Sequence, residues 1–548
     1  MPRWFAIGKL AQFGRWSRAR ARLSGLTRIA GQACIAIGFC FLSLIYLAQP
    51  LGADTLRLVY PQAPVSLDPH HWPQDPAAET VIMTVYGRLM GLREGRGELD
   101  TTEALAHTIR VSDDDLMYTV RLREGASFSD GRPVNSAAAL FSFDRLMTTE
   151  AGKNLFPYLR GFNIIGDYTF SLVLEKPWPP FMASLALPQA SLISPGLADR
   201  AEGFLKDHTL GSGRFMAETV SPQSLSLILR PDLPSRPKLD RVEFYYAAEP
   251  DARLALFLEK QAHLLVEPPL TGLPPDRVTL ELSTWDTRYL AFNVKRPYLA
   301  IMGARQALSG LAKAAFGEAK FPPRGYFPAG FFAGALDDEK DKIDPSRARE
   351  LLAAVGPPKT PLVLVYPTDE PWARADAEKL QTAFLVARVP VNLIPLLGQA
   401  GRAILETGDY DLLLGSRWPS IPSPEMWLGQ FLESTAAGRG NTAYFHNPQA
   451  DEMIRGFRAS PARSERERKV AELAKLAEKE SPYAFLGQKS IRLLVDNRLA
   501  NLKTHPRWPE VWPILKTNLN PFRETKVKKV EPEPPVREFD ELVAEPWE

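Results

Sequence analysis

The chain has 548 residues, 45% of them apolar and 24% charged, which exceeds one hydrophobic core and is ordinary for a soluble protein of two or three domains. The formal charge is +2, but the first 53 residues carry seven basic side chains (Arg3, Lys9, Arg15, Arg18, Arg20, Arg22, Arg28) and no acid, leaving 59 basic against 64 acidic groups in the remainder. That near-neutral, slightly acidic balance gives no reason to expect a nucleic-acid partner.

The basic start runs into an apolar stretch over 33–48, then Pro50 and the small residues Gly52 and Ala53. A charged region, an apolar region and a small-residue exit predict a secretory signal over 1–53, cleaved after Ala53. An uncleaved single-span anchor is the alternative, because the basic region is long; both place the rest of the chain outside the cytoplasm. The two cysteines, Cys34 and Cys40, lie inside this segment without a lipoprotein-type cleavage box, so no disulfide is expected in the mature chain.

Alternation predicts strands at 56–60, 170–174, 225–229 and 241–246 in the first half. The most informative stretch is 113–146. Tyr118, Val120 and Leu122 alternate with Thr119, Arg121 and Arg123 as in a strand with one buried face, and Ser129-Asp130-Gly131-Arg132-Pro133 carries turn chemistry. A helix should follow, capped by Asn135 or Ser136, with Ala138, Leu140, Phe141, Phe143 and Leu146 as its apolar positions. Helical periodicity dominates from 305 to 480, at 347–355 and 373–387 for example, with strands at 362–366 and 410–414 between. The charged stretch 464–479 reads as a solvated helix with i to i+4 pairs. Beyond 523, Glu, Lys, Pro and Val replace any period, which predicts a disordered tail to 548 ending near Trp547, with partner docking as the alternative.

The segment 113–146 resembles a signature of the solute-binding proteins of ABC importers for dipeptides, oligopeptides and nickel, solute-binding protein family 5. The resemblance continues in order. It takes in Ser66-Leu67-Asp68-Pro69, Val85-Tyr86-Gly87-Arg88-Leu89, and Leu210-Gly211-Ser212-Gly213-Arg214-Phe215, where Arg214 replaces a Pro. It then takes in Leu290-Ala291-Phe292-Asn293 with Arg305-Gln306-Ala307-Leu308, the helix 344–356, Gly408-Asp409-Tyr410-Asp411, and Asn441 with Asn447-Pro448. It implies an α/β, two-lobed periplasmic-binding-protein fold with an extra inserted subdomain, hinge-connected around a ligand cleft. Lobe I would comprise 54–97, 206–286 and 490–522, the insert 98–205, and lobe II 287–489.

A two-lobed cleft can also house an active site, but the sequence contains no G-x-S-x-G, H-E-x-x-H or phosphate-loop pattern. No cofactor is expected. The seven histidines are scattered apart from His70-His71, and no metal site is expected from them. In the peptide-binding branch, the resemblance implies an Asp after a Trp that receives the peptide's ammonium group. Here the segment reads Ser416-Arg417-Trp418-Pro419-Ser420-Ile421-Pro422-Ser423-Pro424-Glu425-Met426-Trp427, with Ile421 at that place. A buried ammonium without a carboxylate is strongly penalised. Arg417, Trp418 and Trp427 offer instead a cation and two aromatic faces, and Glu425 is a substitute carboxylate if the loop is re-routed; the alternative is that both Trp side chains pack within a lobe and Arg417 pairs with a neighbouring carboxylate. Trp178 with Phe181, and Trp508 with Trp512, read as packing.

The expected function is therefore a monomeric periplasmic receptor that performs no chemistry. It would deliver a peptide or peptide-like solute to ABC permease subunits. The alternatives are a non-peptide solute, such as a sugar phosphate or metal chelate, and a membrane-anchored sensor or docking protein on the same scaffold.

Overall fold

The computed structural model describes residues 54–71, 76–93, 99–102, 104–233, 239–332, 345–460, 463–500, 505–507 and 518–519. The predicted signal, the predicted tail, Trp508 and Trp512 lie outside the described residues.

Strand β1 (Asp54–Tyr60) is buried on both faces: Leu56, Leu58 and Tyr60 enter one apolar core and Val59 another. Helix α1 (Pro76–Val85) follows. A separate antiparallel sheet is then built from β2 (Ala106–Val111), β3 (Met117–Leu122), β4 (Leu159–Gly166) and β5 (Thr169–Leu174) in the order β2-β3-β5-β4. The alternation read in β3 is realised, with Tyr118, Val120 and Leu122 buried. Helix α2 (Ser136–Thr148) starts where the Asn135 side chain accepts the Ala138 N–H, and sends Ala138, Phe143 and Leu146 into the same core. Leu140 and Phe141, also expected on that face, are only half-buried, because Ser142 turns inward to donate to the carbonyls of Ala138 and Ile193.

Ten strands make the main sheet. β6 (Phe215–Val220), β7 (Ser224–Leu229) and β8 (Leu239–Tyr246) form an antiparallel meander, and β9 (Leu264–Val266) runs parallel to β1. The long β10 (Val278–Phe292) is followed by α3 (Met302–Ala315), α4 (Pro345–Val355), β11 (Leu362–Pro367), α5 (Ala373–Val386), β12 (Val391–Leu396) and β13 (Leu412–Arg417). Helices α6 (Pro424–Leu432), α7 (Pro448–Ala459) and α8 (Arg463–Glu480) precede the second long strand, β14 (Tyr483–Val495). The order across the sheet is β12-β11-β13-β10-β14-β9-β1-β8-β7-β6.

β10 and β14 belong to both halves of this sheet. Val278 to Ser283 pair with Val495 to Ser490 beside β9 and β1, whereas Thr287 to Ala291 pair with Gln488 to Tyr483 beside β13. Between these stretches the register shifts, the kind of irregularity that bends a strand and re-aims its side chains. Trp285 fills the shift: it is fully buried, its backbone N–H donates to the Pro506 carbonyl, and its ring meets Phe331 and His505 edge-on. Lys489 closes the other side on Asp286 and Glu370 at 2.8 and 2.7 Å. The apolar cores divide at the same place, one around β1 and β6 to β9, and two on the opposite faces of β11, β13 and the 287–292 part of β10.

Several sequence motifs turn out to be clamps between distant segments. Arg145 on α2 binds both oxygens of Asp68, at 2.9 and 2.5 Å, and the His70 N–H donates to the same carboxylate. Burial raises the Asp68 pKa, yet Arg145 and that N–H together hold it below 3.8. Asn293 donates to the carbonyls of Gly408 and Tyr410 at 3.0 and 2.8 Å, joining the end of β10 to the approach to β13. The strand expected from Tyr410 accordingly begins at Leu412. Gly211 lies so close to the Val85 carbonyl that a Cβ there would collide with it.

His263, immediately before β9, is buried and its Nδ1 accepts the Arg57 N–H at 3.0 Å, which requires a neutral ring. Burial, with Arg498 adding repulsion, lowers its pKa from 6.5 to about 4. The unfolded chain therefore takes up a proton at this residue between pH 6.5 and about 4 while the folded chain does not, so this contribution is complete above pH 6.5 and is lost as pH falls toward 4. His263→Asn keeps an acceptor for Arg57 without the titration. Its stability, followed by urea melts from pH 7 to 4.5, should fall less steeply than wild type by up to about 1.4 kcal/mol per pH unit. Equal slopes would contradict the assignment.

Candidate ligand-binding site

Strand β13 ends at Arg417, which pairs in register with Thr287 just past the shift in β10. The chain then leaves the sheet as 418–423 and enters α6, where the Ser423 hydroxyl caps the Met426 N–H and Pro424 occupies the first turn. The turn-rich composition of this loop suits a connection rather than a strand, and it delivers the predicted residues to different surroundings.

Arg417 lies with its guanidinium 5.0 Å from the centre of the Phe431 ring. It is half-buried, and no carboxylate pairs with it among the described residues. Trp418 is half-buried with the Arg507 guanidinium 5.5 Å from its ring centre. Arg507 also donates to the carbonyls of Pro419 and Ser420, so a residue from beyond β14 holds the loop from outside. Burial lowers the Arg507 pKa to about 10, with Glu79 on α1 acting in the opposite direction, and the group stays cationic at neutral pH. Arg88 shares that carboxylate and is likewise lowered by burial to about 10.

Glu425 does not present a free carboxylate. It accepts the Ser423 hydroxyl at 2.7 Å and lies 3.8 Å from Arg466 of α8. Arg466 also reaches Asp115, at the β2–β3 turn, at 3.2 Å. Trp427 faces away from the loop: it is 1% exposed, its N–H donates to the Tyr326 carbonyl at 2.6 Å, and its ring packs on Phe331, Phe431 and Phe485. For Trp427 the lobe-packing alternative is the one the geometry favours. Ile421 is 6% exposed and joins the apolar cluster of the four-stranded sheet. The structure thus groups Arg417, Trp418 and Glu425 around one loop and separates Trp427 from them.

Sequence reading missed Arg507, Glu79, Arg88, Arg466 and Asp115. Two of them left a trace: Arg88 stands within the motif 85–89, and Asp115 is the last of three successive Asp residues in a turn. His70 and His71 diverge, His70 lying against the Ser191 carbonyl and His71 against Asp68, and among the described residues no His, Cys, Asp and Glu side chains cluster as a metal site.

A two-part sheet joined by two crossing strands, with an added four-stranded subdomain, is the layout of a two-lobed, hinge-connected binding-protein fold. The chain belongs to the bacterial extracellular solute-binding proteins, family 5, whose model matches residues 100–439. It is 26% identical over 472 residues to the probable D,D-dipeptide-binding periplasmic protein DdpA of Escherichia coli K12, covering 82% of this chain and 90% of that one. It is also 26% identical over 454 residues to the glutathione-binding protein GsiB of Pectobacterium atrosepticum, covering 77% and 86%. In fold it matches HbpA2 from Haemophilus parasuis with a TM-score of 0.76, at 19% identity over 85% of this chain and all of that one.

Placing Trp427 in the core separates two effects. Trp427→Ala should cost about 3–5 kcal/mol of unfolding free energy. Trp427→Phe, which keeps most of the apolar volume but leaves the Tyr326 carbonyl unpartnered, should cost about 1–3 kcal/mol. Denaturant titration reads both, and an undiminished stability for Trp427→Ala would remove the residue from the core.

Proposed function

We propose that this protein is the solute-binding receptor of an ABC importer, capturing a peptide or peptide-like solute outside the cytoplasmic membrane and delivering it to the permease subunits. Family membership over residues 100–439 carries the receptor assignment, and two relatives named for dipeptide and glutathione binding support a peptide-like ligand. Those relatives include a periplasmic protein, and a periplasmic site suits the basic leader. Among the described residues no helix is long and apolar enough to cross a membrane.

In this reading the 54–97, 206–286 and 490–522 segments act as one lobe, 98–205 as its inserted subdomain, and 287–489 as the opposing lobe. Arg417 and Trp418 face the ligand. Arg417 attracts a carboxylate or carbonyl, which its lack of an acidic partner among the described residues favours, and Trp418 supplies an aromatic wall. The receptor performs no chemistry, and its work is differential binding to the closed arrangement.

Ile421 makes the ligand's amine unimportant. Its side chain is packed in apolar surroundings, while Glu425 and Asp115 are paired with Arg466, so the loop holds no uncommitted carboxylate for an ammonium group. Isothermal titration with a set of tri- and tetrapeptides should therefore give affinities that change less than about threefold when the N-terminus is acetylated, since no buried ion pair is lost. Arg417→Gln should weaken binding of the same peptides by about tenfold or more, the scale of a charge-assisted hydrogen bond. Absence of binding by every peptide would overturn the peptide reading, and full affinity in Arg417→Gln would remove Arg417 from the site.

A further inference from the structure

The junction between the four-stranded subdomain and the helical layer α6 to α8 contains a charged contact that no ligand-binding role requires. Arg466, in the first turn of α8, donates to Asp115 at 3.2 Å and to the Ser460 carbonyl at 3.0 Å, and lies 3.8 Å from Glu425. The three side chains are only 14–16% exposed, although α8 is otherwise a strongly charged helix whose Arg468–Glu472 and Lys469–Glu465 pairs run along its own surface. Asp115 and Arg466 are 351 positions apart in sequence; Leu116, next to Asp115, packs against one apolar core, and Val470 and Leu473 of α8 enter another.

The turn that carries Asp115 is built to present it. Asp115 has φ of 54°, a left-handed conformation in which Asp is tolerated but Asn or Gly is easier. Its N–H donates to the Ser112 carbonyl, while Asp114 accepts the Ser112 hydroxyl and the Leu116 N–H, so the turn closes on Asp114 and leaves the Asp115 carboxylate for Arg466. A few residues before α6, Ile421 crosses the same junction and enters the subdomain's apolar cluster. A polar and an apolar contact therefore tie the same two bodies together on either side of Glu425.

We propose that Asp115 and Arg466, together with the packing of Ile421, form a latch that holds the subdomain against α6 to α8 in the arrangement described and so tunes affinity without touching the ligand. The effect on affinity rests on the receptor reading above; the effect on shape does not. A contact that favours one arrangement of the two bodies changes the affinity of every ligand by the same factor, because it acts on the conformational equilibrium and not on recognition.

Asp115→Asn removes the charge while suiting the left-handed turn at least as well, so the fold is kept; Arg466→Gln removes the other half. Small-angle X-ray scattering of each full-length protein, without added solute, should show a larger radius of gyration for both single variants than for wild type. In titrations with the peptide set, Asp115→Asn should change the affinity for each binder by about the same three- to tenfold, the range of a partly buried ion pair. A radius for Asp115→Asn equal to wild type at both low and high salt overturns the latch, as does loosening in Arg466→Gln alone, which would mark Arg466 as a local support of α7 through Ser460. If no peptide binds any of the proteins, the receptor's peptide reading fails and the scattering result still decides the latch.

Discussion

Everything in this molecule hangs on two strands that belong to two half-sheets at once. β10 and β14 pair along nearly their whole length, and their backbone hydrogen bonds could be satisfied in one flat ribbon. The register shift between Ser283 and Thr287 prevents that, and Trp285 fills the space it opens. Each half is then completed by different strands and buries its own core, which fixes the bodies and leaves the connection between them narrow. A narrow, hydrogen-bonded, two-strand connection is what a hinge needs: it resists unpairing but resists bending far less than a packed core does.

Charge is concentrated where those bodies meet, and most of it is neutralised by the protein itself. Arg507 grips carbonyls of the loop after β13, with Glu79 near both it and Arg88; Arg466 is shared by Asp115 and Glu425. These groups shape the junction, since a buried charge with its partners in place confers position more than net stability. Arg417, like Arg507, lies beside an aromatic ring, but no acid pairs with it among the described residues, and the proposed contact with an anionic or carbonyl-bearing ligand rests on that difference.

Much of the fold was legible in the sequence and most of the junction was not, for a physical reason. Alternation and capping report local burial, so β3, β7, β8, the Asn135 cap and α4 could be read within a residue or two. The motifs were legible as motifs, but only coordinates reveal that Asp68 and Arg145, or Asn293 and Tyr410, are partners. Arg417 could be picked out because it ends a strand pattern and adjoins a Trp. Trp427, nine residues further on, looks equivalent in sequence and is a core residue, because one half-turn of α6 separates a face toward the loop from a face toward Phe431 and Phe485. Arg466 was hidden inside a helix whose charges mostly do face water; an inward arginine has no periodic signature when its partner comes from another body.

Native mass spectrometry of the protein taken gently from the periplasm of its own host tests the central claim most directly, by identifying what occupies the cleft. The account predicts one or more peptide-like masses that are released on unfolding and retained less well by Arg417→Gln. A bound solute with no peptide character, such as a sugar phosphate, would contradict it.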